Sequence, residues 1–217
     1  MEMDAFLQVK SSENVKVYAT ISYGLSSNIY LIEGVNEIGM IDVGYGPPHS
    51  NIFEVLNVFK INVKEITKIL ITHRHKDHTR ELKKILNEND NAKIYIHRND
   101  RDIVIDSLGI DKNRVSTLYG NEEIKINDAK IKVIYTPGHT SGSLCFKYED
   151  TLFTGDLVFS DGLYGRTDLP SGNHRELVES LKKVLKLDIE YMLPGHGGIV
   201  LKDAKLHIKL ALKSALK

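Results

Sequence analysis

The stretch KILITHRHKDHT, residues 68–79, constrains this chain more than any other feature. An apolar, strand-like run ends in three histidines and one aspartate, which are His73, His75, Asp77 and His78. Three of the nine histidines in the 217-residue chain therefore stand within six positions. In an extended segment His73 and His75 point the same way, because side chains two apart share a face. So many imidazoles at the end of one strand indicate a metal site.

Three further groups of the same character follow along the chain. They are His139 in TPGHTSG, Asp156 in FTGDLVF and His196 in LPGHGG, and each comes just after an apolar strand-like segment. Strand ends that gather at one edge of a sheet are natural places for a site. The neighbouring Gly and Pro residues allow sharp turns that aim a side chain into a cleft. Five imidazoles and two carboxylates are too many ligands for one tetrahedral metal and suit two.

The remaining histidines and the cysteine have simpler interpretations. A histidine near a turn is usually an ordinary surface residue, and we interpret His49, His174 and His207 in this way. His97 ends a predicted strand and is interpreted as structural. Cys145 is the only cysteine, so an intrachain disulfide is excluded. We interpret it as a small core residue and not as a nucleophile.

Charge and composition narrow the class of protein. The formal net charge is zero, with 41% hydrophobic and 27% charged residues, as in ordinary soluble domains. This balance gives no reason to expect a nucleic-acid or membrane partner. The segment MEMDAFLQVK lacks the features of a signal peptide, and no apolar run approaches the length of a membrane span. We expect a cytoplasmic protein with a small-molecule substrate; the oligomeric state is left open.

Periodicity predicts strands mixed with helices, and hence a layered α/β domain. The predicted strands are Lys16–Thr20, Asn28–Ile32, Ile38–Val43, Lys68–Thr72, Ala92–His97, Glu122–Ile126, Lys130–Tyr135, Ser143–Lys147, Thr151–Phe153 and the segment IEYML. One predicted helix carries the apolar stripe Ile52, Val55, Leu56 and Phe59. Three more are predicted over Arg80–Asn87, Asn99–Leu108 and Asp203–Lys217. A fifth is expected to follow a capping box formed by Asn173 and Glu176. A long loop, Gly155–Gly172, is expected to line the site.

The four ligand groups together resemble the successive metal-binding motifs of the metallo-β-lactamase superfamily. The resemblance spans Ile38–Gly197 and includes Asp42 in GMIDVG, which is similar to an early Asp motif of that superfamily. It implies a single domain over residues 1–217, a four-layer αββα sandwich with a two-metal site at one edge of its paired sheets. It also implies the ligands: His73, His75 and His139 for the first metal, Asp77, His78 and His196 for the second, with Asp156 bridging them and Asp42 orienting ligands. Considered alone, Asp42 has the simpler alternative of a turn former.

The loop LYGRTDLPSGN is similar to the GRTD loop of the glyoxalase II-like (hydroxyacylglutathione hydrolase-like) branch. That branch includes thioester hydrolases and persulfide dioxygenases. We expect Arg166 and Asp168 to pair and hold the loop. Tyr164 and Arg166 are candidates for the substrate pocket, and Tyr164 has packing as an equal alternative.

Two departures from that branch bear on the substrate. Arg80 and Glu81 stand where many relatives have Gly, which predicts a reshaped entrance. Only 21 residues follow His196, whereas full-length glyoxalase II enzymes carry a C-terminal helical domain that helps to bind glutathione. A smaller thioester or another ester is therefore as good a candidate as a glutathione thioester.

Three hypotheses for function follow. The first is a dinuclear hydrolase in which two divalent ions, zinc or alternatively iron or manganese, lie about 3.5–4 Å apart and share a hydroxide that attacks a carbonyl. Asp77 would be a ligand that also orients this nucleophile, and a thioester suits the site because thiol pKa values lie near 8.5. The second is a mononuclear iron persulfide dioxygenase, which the resemblance implies would use His73, His139 and Asp156. The third is a metal-stabilised binding protein without turnover, which the complete ligand set disfavours.

Overall fold

Two β-sheets form the centre of the molecule, which is described by a computed structural model over residues 5–11 and 13–217. The first sheet has seven strands in chain order: β1 (Ala5–Ser11), β2 (Lys16–Ile21), β3 (Ile29–Glu33), β4 (Ile38–Ile41), β5 (Ile66–Leu70), β6 (Lys93–His97) and β7 (Val115–Leu118). Strands β1 to β4 are antiparallel, and β4 to β7 are parallel. The parallel strands therefore end at a common edge of the sheet, where the histidine cluster begins.

The second sheet has five strands in the order β12-β11-β10-β9-β8. They are β8 (Glu123–Ile126), β9 (Ala129–Tyr135), β10 (Leu144–Tyr148), β11 (Thr151–Gly155) and β12 (Tyr191–Pro194). Only β11 and β12 pair in parallel. Their shared carboxyl ends bring the GD and PGHG motifs to one edge.

Six helices lie among the described residues. They are α1 (Ile52–Val58), α2 (Lys76–Thr79), α3 (Leu82–Glu88), α4 (Arg98–Leu108), α5 (His174–Leu185) and α6 (Ala204–Ala215). Short 3-10 turns occur at Val63–Glu65, Lys112–Arg114 and Ser160–Gly162. In the described part of the chain, no helix has both the length and the apolar content that a bilayer crossing requires.

Three apolar cores separate these elements into four layers. One core packs α1, α3 and α4 on the outer face of the first sheet. A second lies between the two sheets, and a third packs α5 and α6 on the outer face of the second sheet. The predicted αββα sandwich is confirmed.

Strand β3 shows how the sequence produces this layering. Leu31 belongs to the outer core, whereas Tyr30 and Ile32 belong to the core between the sheets. Leu152 and Phe153 of β11 divide in the same way between the third core and the central one. Because successive side chains point to opposite faces, a strand covered on both sides is apolar throughout. The continuous apolar runs that predicted these strands therefore reflect burial on both faces.

Every predicted strand overlaps an observed one, but the sequence interpretation missed β1 and β7. Both are edge strands of the first sheet, with one pairing neighbour each. The central residues of β7, Ser116 and Thr117, are only partly buried, so its apolar pattern is weak. The helix predicted from Arg80 begins at Leu82, because a separate helical turn, α2, occupies the chain before it. The loop after Gly155 contains the 3-10 turn Ser160–Gly162.

A half-buried ion pair with added hydrogen bonds joins the two sheets at the end remote from the histidines. In the turn before β4, the carboxylate of Glu37 accepts hydrogen bonds from Asn127 N (2.9 Å) and Thr67 Oγ1 (2.9 Å), and it also pairs with Lys68. Asn127 lies in the turn between β8 and β9, so the contact crosses from one sheet to the other. Burial raises the pKa of Glu37, but the hydrogen bonds from Lys68 and Asn127 outweigh it and lower the pKa.

We predict that Glu37→Gln destabilises the protein by about 1.5–3 kcal/mol at pH 7, the range for hydrogen bonds to charged groups. The folded pKa lies below the unfolded value of 4.5. The charge therefore stabilises the fold above pH 4.5, and this contribution is lost as pH falls through the lower, folded pKa. Urea unfolding of both proteins between pH 7 and pH 3 should show the difference shrinking below pH 4.5. A difference that stays constant with pH would contradict this account.

Candidate metal centre

The seven predicted ligands converge at the edge where the two sheets meet. His73 and His75 lie in the segment that joins β5 to α2, and Asp77 and His78 lie on the short helix α2. The other three ligands follow β9, β11 and β12 of the second sheet. The main chain connects the two halves, since Leu144 N at the start of β10 donates to Thr72 O at 2.8 Å.

Three imidazoles form the first ligand group. His75 Nδ1 lies 3.0 Å from His73 Nε2 and 2.9 Å from His139 Nε2. The side chains of His73 and His139 are buried, and His75 is half-buried. Three ring nitrogens that face one another this closely form the kind of donor set that binds zinc or iron.

The second group is more open to solvent. Asp77 Oδ2 lies 3.0 Å from His196 Nε2 and 3.7 Å from His78 Nε2. The Asp77 and His196 side chains are 28% and 30% exposed, whereas His78 is fully buried. A ligand can therefore approach the centre from the side of Asp77 and His196.

Asp156 lies between the two groups. Its Oδ2 is 3.5 Å from His139 Nε2 and 3.7 Å from His196 Nε2. Its Oδ1 is 3.3 Å from His78 Nε2. This carboxylate thus reaches one member of the first group and two of the second, which is where a bridging ligand has to lie.

Two buried atoms show that the cluster fits a cation. Asp156 Oδ1 and His78 Nε2 are fully buried, yet neither has a partner with hydrogen-bond geometry among the described residues. A buried polar atom left without a partner costs free energy, and a metal ion would satisfy both atoms. The ligand atoms fall into overlapping sets of three whose members lie within 4.8 Å of one another: His73, His75 and His139; His73, His78 and Asp156; Asp77, His78 and His196.

Hydrogen bonds behind the ligands fix which nitrogen faces the centre. His139 Nδ1 donates to the Arg166 carbonyl at 2.7 Å, which leaves Nε2 as the free acceptor. His78 Nδ1 pairs with Asp42 Oδ2 at 2.7 Å. Asp42 also accepts from Thr72 N (2.9 Å) and from Thr72 Oγ1 (2.7 Å), and so it holds the end of β5 as well.

Electrostatics divide the cluster into neutral and charged members. Burial lowers the pKa of His73, and it lowers that of His75 to about 4; the neighbouring imidazoles add to both shifts. Burial also lowers the pKa of His78, but Asp42 and Asp156 outweigh it and raise the pKa. Burial raises the pKa of Asp156, and the charges of His78, His196 and His139 outweigh it and lower that pKa. His73 and His75 are therefore neutral, as metal ligands must be, whereas the two carboxylates hold His78 protonated, and a metal ion there would replace its Nε2 proton.

An open cleft of about 520 Å³ lies over the centre. Besides ligand residues, Lys76, Phe159, Gly165, Arg166 and Leu169 line it. Phe159 and Leu169 were missed by the sequence interpretation, because a single apolar residue in a loop carries no periodic signal. They supply an apolar wall beside the ligands, while Lys76 places a cation at the edge.

The two residues predicted for the pocket differ in position. Arg166 lines the cleft, and its guanidinium pairs with Asp168 (Nη2–Oδ2 2.6 Å), as the loop-holding interpretation expected. The sequence could not reveal that its carbonyl orients His139. Tyr164 packs against the third core and lies 6.1 Å from the His174 ring, centroid to centroid. It is not among the residues that line the cleft, so the geometry supports its packing alternative.

His97, His174 and Cys145 make contacts outside the ligand cluster, and His174 is exposed, as predicted for a surface residue. His97 is buried, stacks on Tyr135 at 4.4 Å between ring centroids, and accepts a hydrogen bond from Asn99 N at 3.2 Å. His174 donates to the Ala215 carbonyl at 2.8 Å. Cys145 is buried in the third core, and burial raises the pKa of its thiol to about 12, so it is not a nucleophile.

Comparison with known proteins assigns the family. A model described as the metallo-beta-lactamase superfamily matches residues 22–196. A protein of Methanocaldococcus jannaschii named a probable metallo-hydrolase is 34% identical over 191 residues, with 82% of this chain and 90% of the relative covered. The chain therefore belongs to the metallo-beta-lactamase superfamily, and the cluster is a metal-binding His/Asp cluster in that fold.

Two further comparisons are more specific. A hydroxyacylglutathione hydrolase of Francisella tularensis subsp. novicida is 33% identical over 129 residues, which cover 58% of this chain and 47% of that enzyme. A protein crystallised in a di-iron-bound form has a TM-score of 0.67 and 26% identity, with 89% of this chain and 96% of that chain covered.

We predict that metal binding stabilises this fold strongly. Adding Zn²⁺ to metal-free protein should raise the melting temperature, because an ion bound only by the folded state contributes about 2.7 kcal/mol at one hundred times its dissociation constant. For a chain of this size that is a rise of about 5–10 °C. Differential scanning calorimetry with and without a chelator measures it. Asp156→Asn should show a smaller rise, and an unchanged melting temperature in the natural protein would contradict the assignment.

Proposed function

We propose that this protein is a dinuclear metal-dependent hydrolase that cleaves a thioester or a small ester. The observation that carries the proposal is the arrangement of six ligand side chains in two groups around Asp156, beside an open cleft that five of the seven ligand residues line. Two divalent cations held there would polarise a carbonyl oxygen and make the attacking water more acidic. We propose zinc as the native metal, with iron and manganese as alternatives.

Asp77 is proposed to position the attacking water. Its carboxylate lines the cleft beside His196 and is partly exposed. One oxygen, Oδ2, is engaged with His196 Nε2 at 3.0 Å. The other can accept a hydrogen bond from water and orient its lone pair toward a bound carbonyl.

The residues that line the cleft favour a leaving group that departs without protonation. Apart from the ligand residues, they are two cations, Lys76 and Arg166, the apolar Phe159 and Leu169, and Gly165. No carboxylic acid outside the ligand set lines this cleft within the described chain. A thiolate needs no such acid at neutral pH, since thiol pKa values lie near 8.5, whereas an amine leaving group needs a proton.

Two likenesses support a thioester in particular. The matched hydroxyacylglutathione hydrolase shares 33% identity over 129 residues. The GRTD loop, which resembles that of the glyoxalase II-like branch, lies at the cleft through Arg166. Phe159 and Leu169 offer an apolar wall for an acyl group.

A second candidate is an iron-dependent persulfide dioxygenase of the same fold. The likeness to a di-iron-bound protein supports iron in such a site. Two histidines and one carboxylate are the usual ligands of non-haem iron oxygenases. Here His139 Nε2 lies 3.5 Å from Asp156 Oδ2. His75 Nδ1 lies within 3.0 Å of both His73 Nε2 and His139 Nε2, so His73 belongs to the same ligand group.

Elemental mass spectrometry distinguishes these candidates when the protein is expressed with zinc and iron both available. Two zinc ions per chain together with turnover of S-acyl thioesters is the result that we expect. One iron per chain, together with oxygen consumption when a persulfide is added, would favour the dioxygenase instead. Fully metallated protein that turns over neither substrate would support a binding protein without catalysis.

We further predict that Asp77→Asn lowers kcat for thioester hydrolysis by about 10²–10⁴-fold, the usual contribution of a residue that handles the proton of a nucleophile. Steady-state kinetics at matched metal content measures it. Asp106→Asn is the matched control, since Asp106 is an exposed carboxylate on α4 away from the cleft. Equal kcat values for the Asp77 variant and the control would show that Asp77 does not position the attacking water.

A further inference from the structure

Asp100 is a buried carboxylate that neither the motifs nor the proposed reaction uses. It lies in the first turn of α4, and its side chain is 0% exposed. Burying a charged group is costly unless partners compensate for it. Its partners therefore indicate what it does.

Those partners belong to the two loops that supply the first ligand group. Asp100 Oδ2 accepts from Arg74 N at 3.0 Å and from Thr140 Oγ1 at 2.7 Å. Arg74 stands between His73 and His75, and Thr140 is the residue after His139. One carboxylate thus connects the chain segments of all three imidazoles.

The packing around Asp100 leaves little freedom. A Cβ atom added to Gly142, two residues beyond Thr140, would lie 2.4 Å from Asp100 Cγ. The loop that carries His139 is therefore in direct contact with the carboxyl group. A shift of Asp100 must move that loop.

The same network reaches the edge of the cleft. Arg74 Nη1 pairs with Asp100 Oδ1 at 3.2 Å, and Arg74 Nη2 donates to Ser171 Oγ at 2.8 Å. Ser171 Oγ also accepts from Ser141 N at 3.1 Å. Leu169, which lines the cleft, is two residues before Ser171.

We propose that Asp100 is a positioning residue that sets the spacing of His73, His75 and His139 and so determines how tightly the first ligand group holds its metal. It acts through Arg74 and Thr140 and does not contact the metal. Hydrogen-bonding groups behind metal ligands commonly change metal affinity by about 10–100-fold. This inference rests on the metal site in the proposed function.

The test compares Zn²⁺ affinities, measured by competition with a chromophoric chelator, in a matched set of variants. Thr140→Val removes the hydroxyl that donates to Asp100 with almost no change in shape, whereas Thr140→Ser retains it. Asp100→Asn retains the shape but removes the charge. Asn89→Ala is the control: it removes buried hydrogen bonds to Val63 O (2.6 Å) and Ile66 O (2.7 Å), at the opposite end of β5.

We expect Asp100→Asn and Thr140→Val to weaken Zn²⁺ binding at one of the two sites by about 10-fold or more. Thr140→Ser and Asn89→Ala should bind like the natural protein. The visible absorption bands of Co²⁺-substituted protein should shift in the first two variants alone, a change that a general loss of stability does not cause. Because Thr140→Val leaves the Asp100 carboxylate in place, it provides a second measurement if Asp100→Asn fails to fold.

Two results would overturn the inference. One is natural affinity in Thr140→Val and Asp100→Asn. The other is weakened binding in every variant, including Asn89→Ala, in proportion to lost stability. If the natural protein fails to bind Zn²⁺, that result would instead contradict the proposed metal site, and the inference about Asp100 would fall with it.

Discussion

The junction between Asp42 and Thr72 is the contact on which the rest of the site depends. Thr72 donates to Asp42 through both N and Oγ1, at 2.9 and 2.7 Å, and its carbonyl accepts from Leu144 N of the second sheet at 2.8 Å. Asp42 in turn pairs with His78 at 2.7 Å. The two sheets and the histidine cluster thus meet at one buried pair of residues. Asp42 adopts a left-handed backbone, φ 54°, a conformation that Asp tolerates better than most residues.

This arrangement concentrates unfavourable features in a small volume. Imidazole nitrogens face each other at 2.9–3.0 Å, and the buried Asp156 Oδ1 and His78 Nε2 have no hydrogen-bonding partner in the described part of the chain. Sequences rarely retain such groups for stability, because apolar side chains of the same size pack better. The three apolar cores offset the cost, and a bound cation would turn the crowded donors into ligands. The site is therefore best understood as built for an ion.

The strands and the candidate ligand residues could be predicted because both depend on local patterns, whereas the αββα layering and the division of the ligands between two metals came from the family resemblance. Strands buried on both faces are continuous apolar runs, and the ligands follow directly where those runs stop. The edge strands β1 and β7 were missed because a strand with one neighbour is only partly buried. Asp100 and the Arg166 carbonyl were also missed. Asp100 reaches the ligand loops across 26 and 40 positions of sequence, and a backbone atom leaves no signature in residue type.

The central claim is that two ligand groups share Asp156, and anomalous diffraction from crystals of Zn²⁺-loaded protein tests it most directly. The account predicts two anomalous peaks per chain at the zinc edge. One should be bounded by His73, His75 and His139, the other by Asp77, His78 and His196, with Asp156 contacting both. A single peak, or peaks away from these side chains, would contradict it.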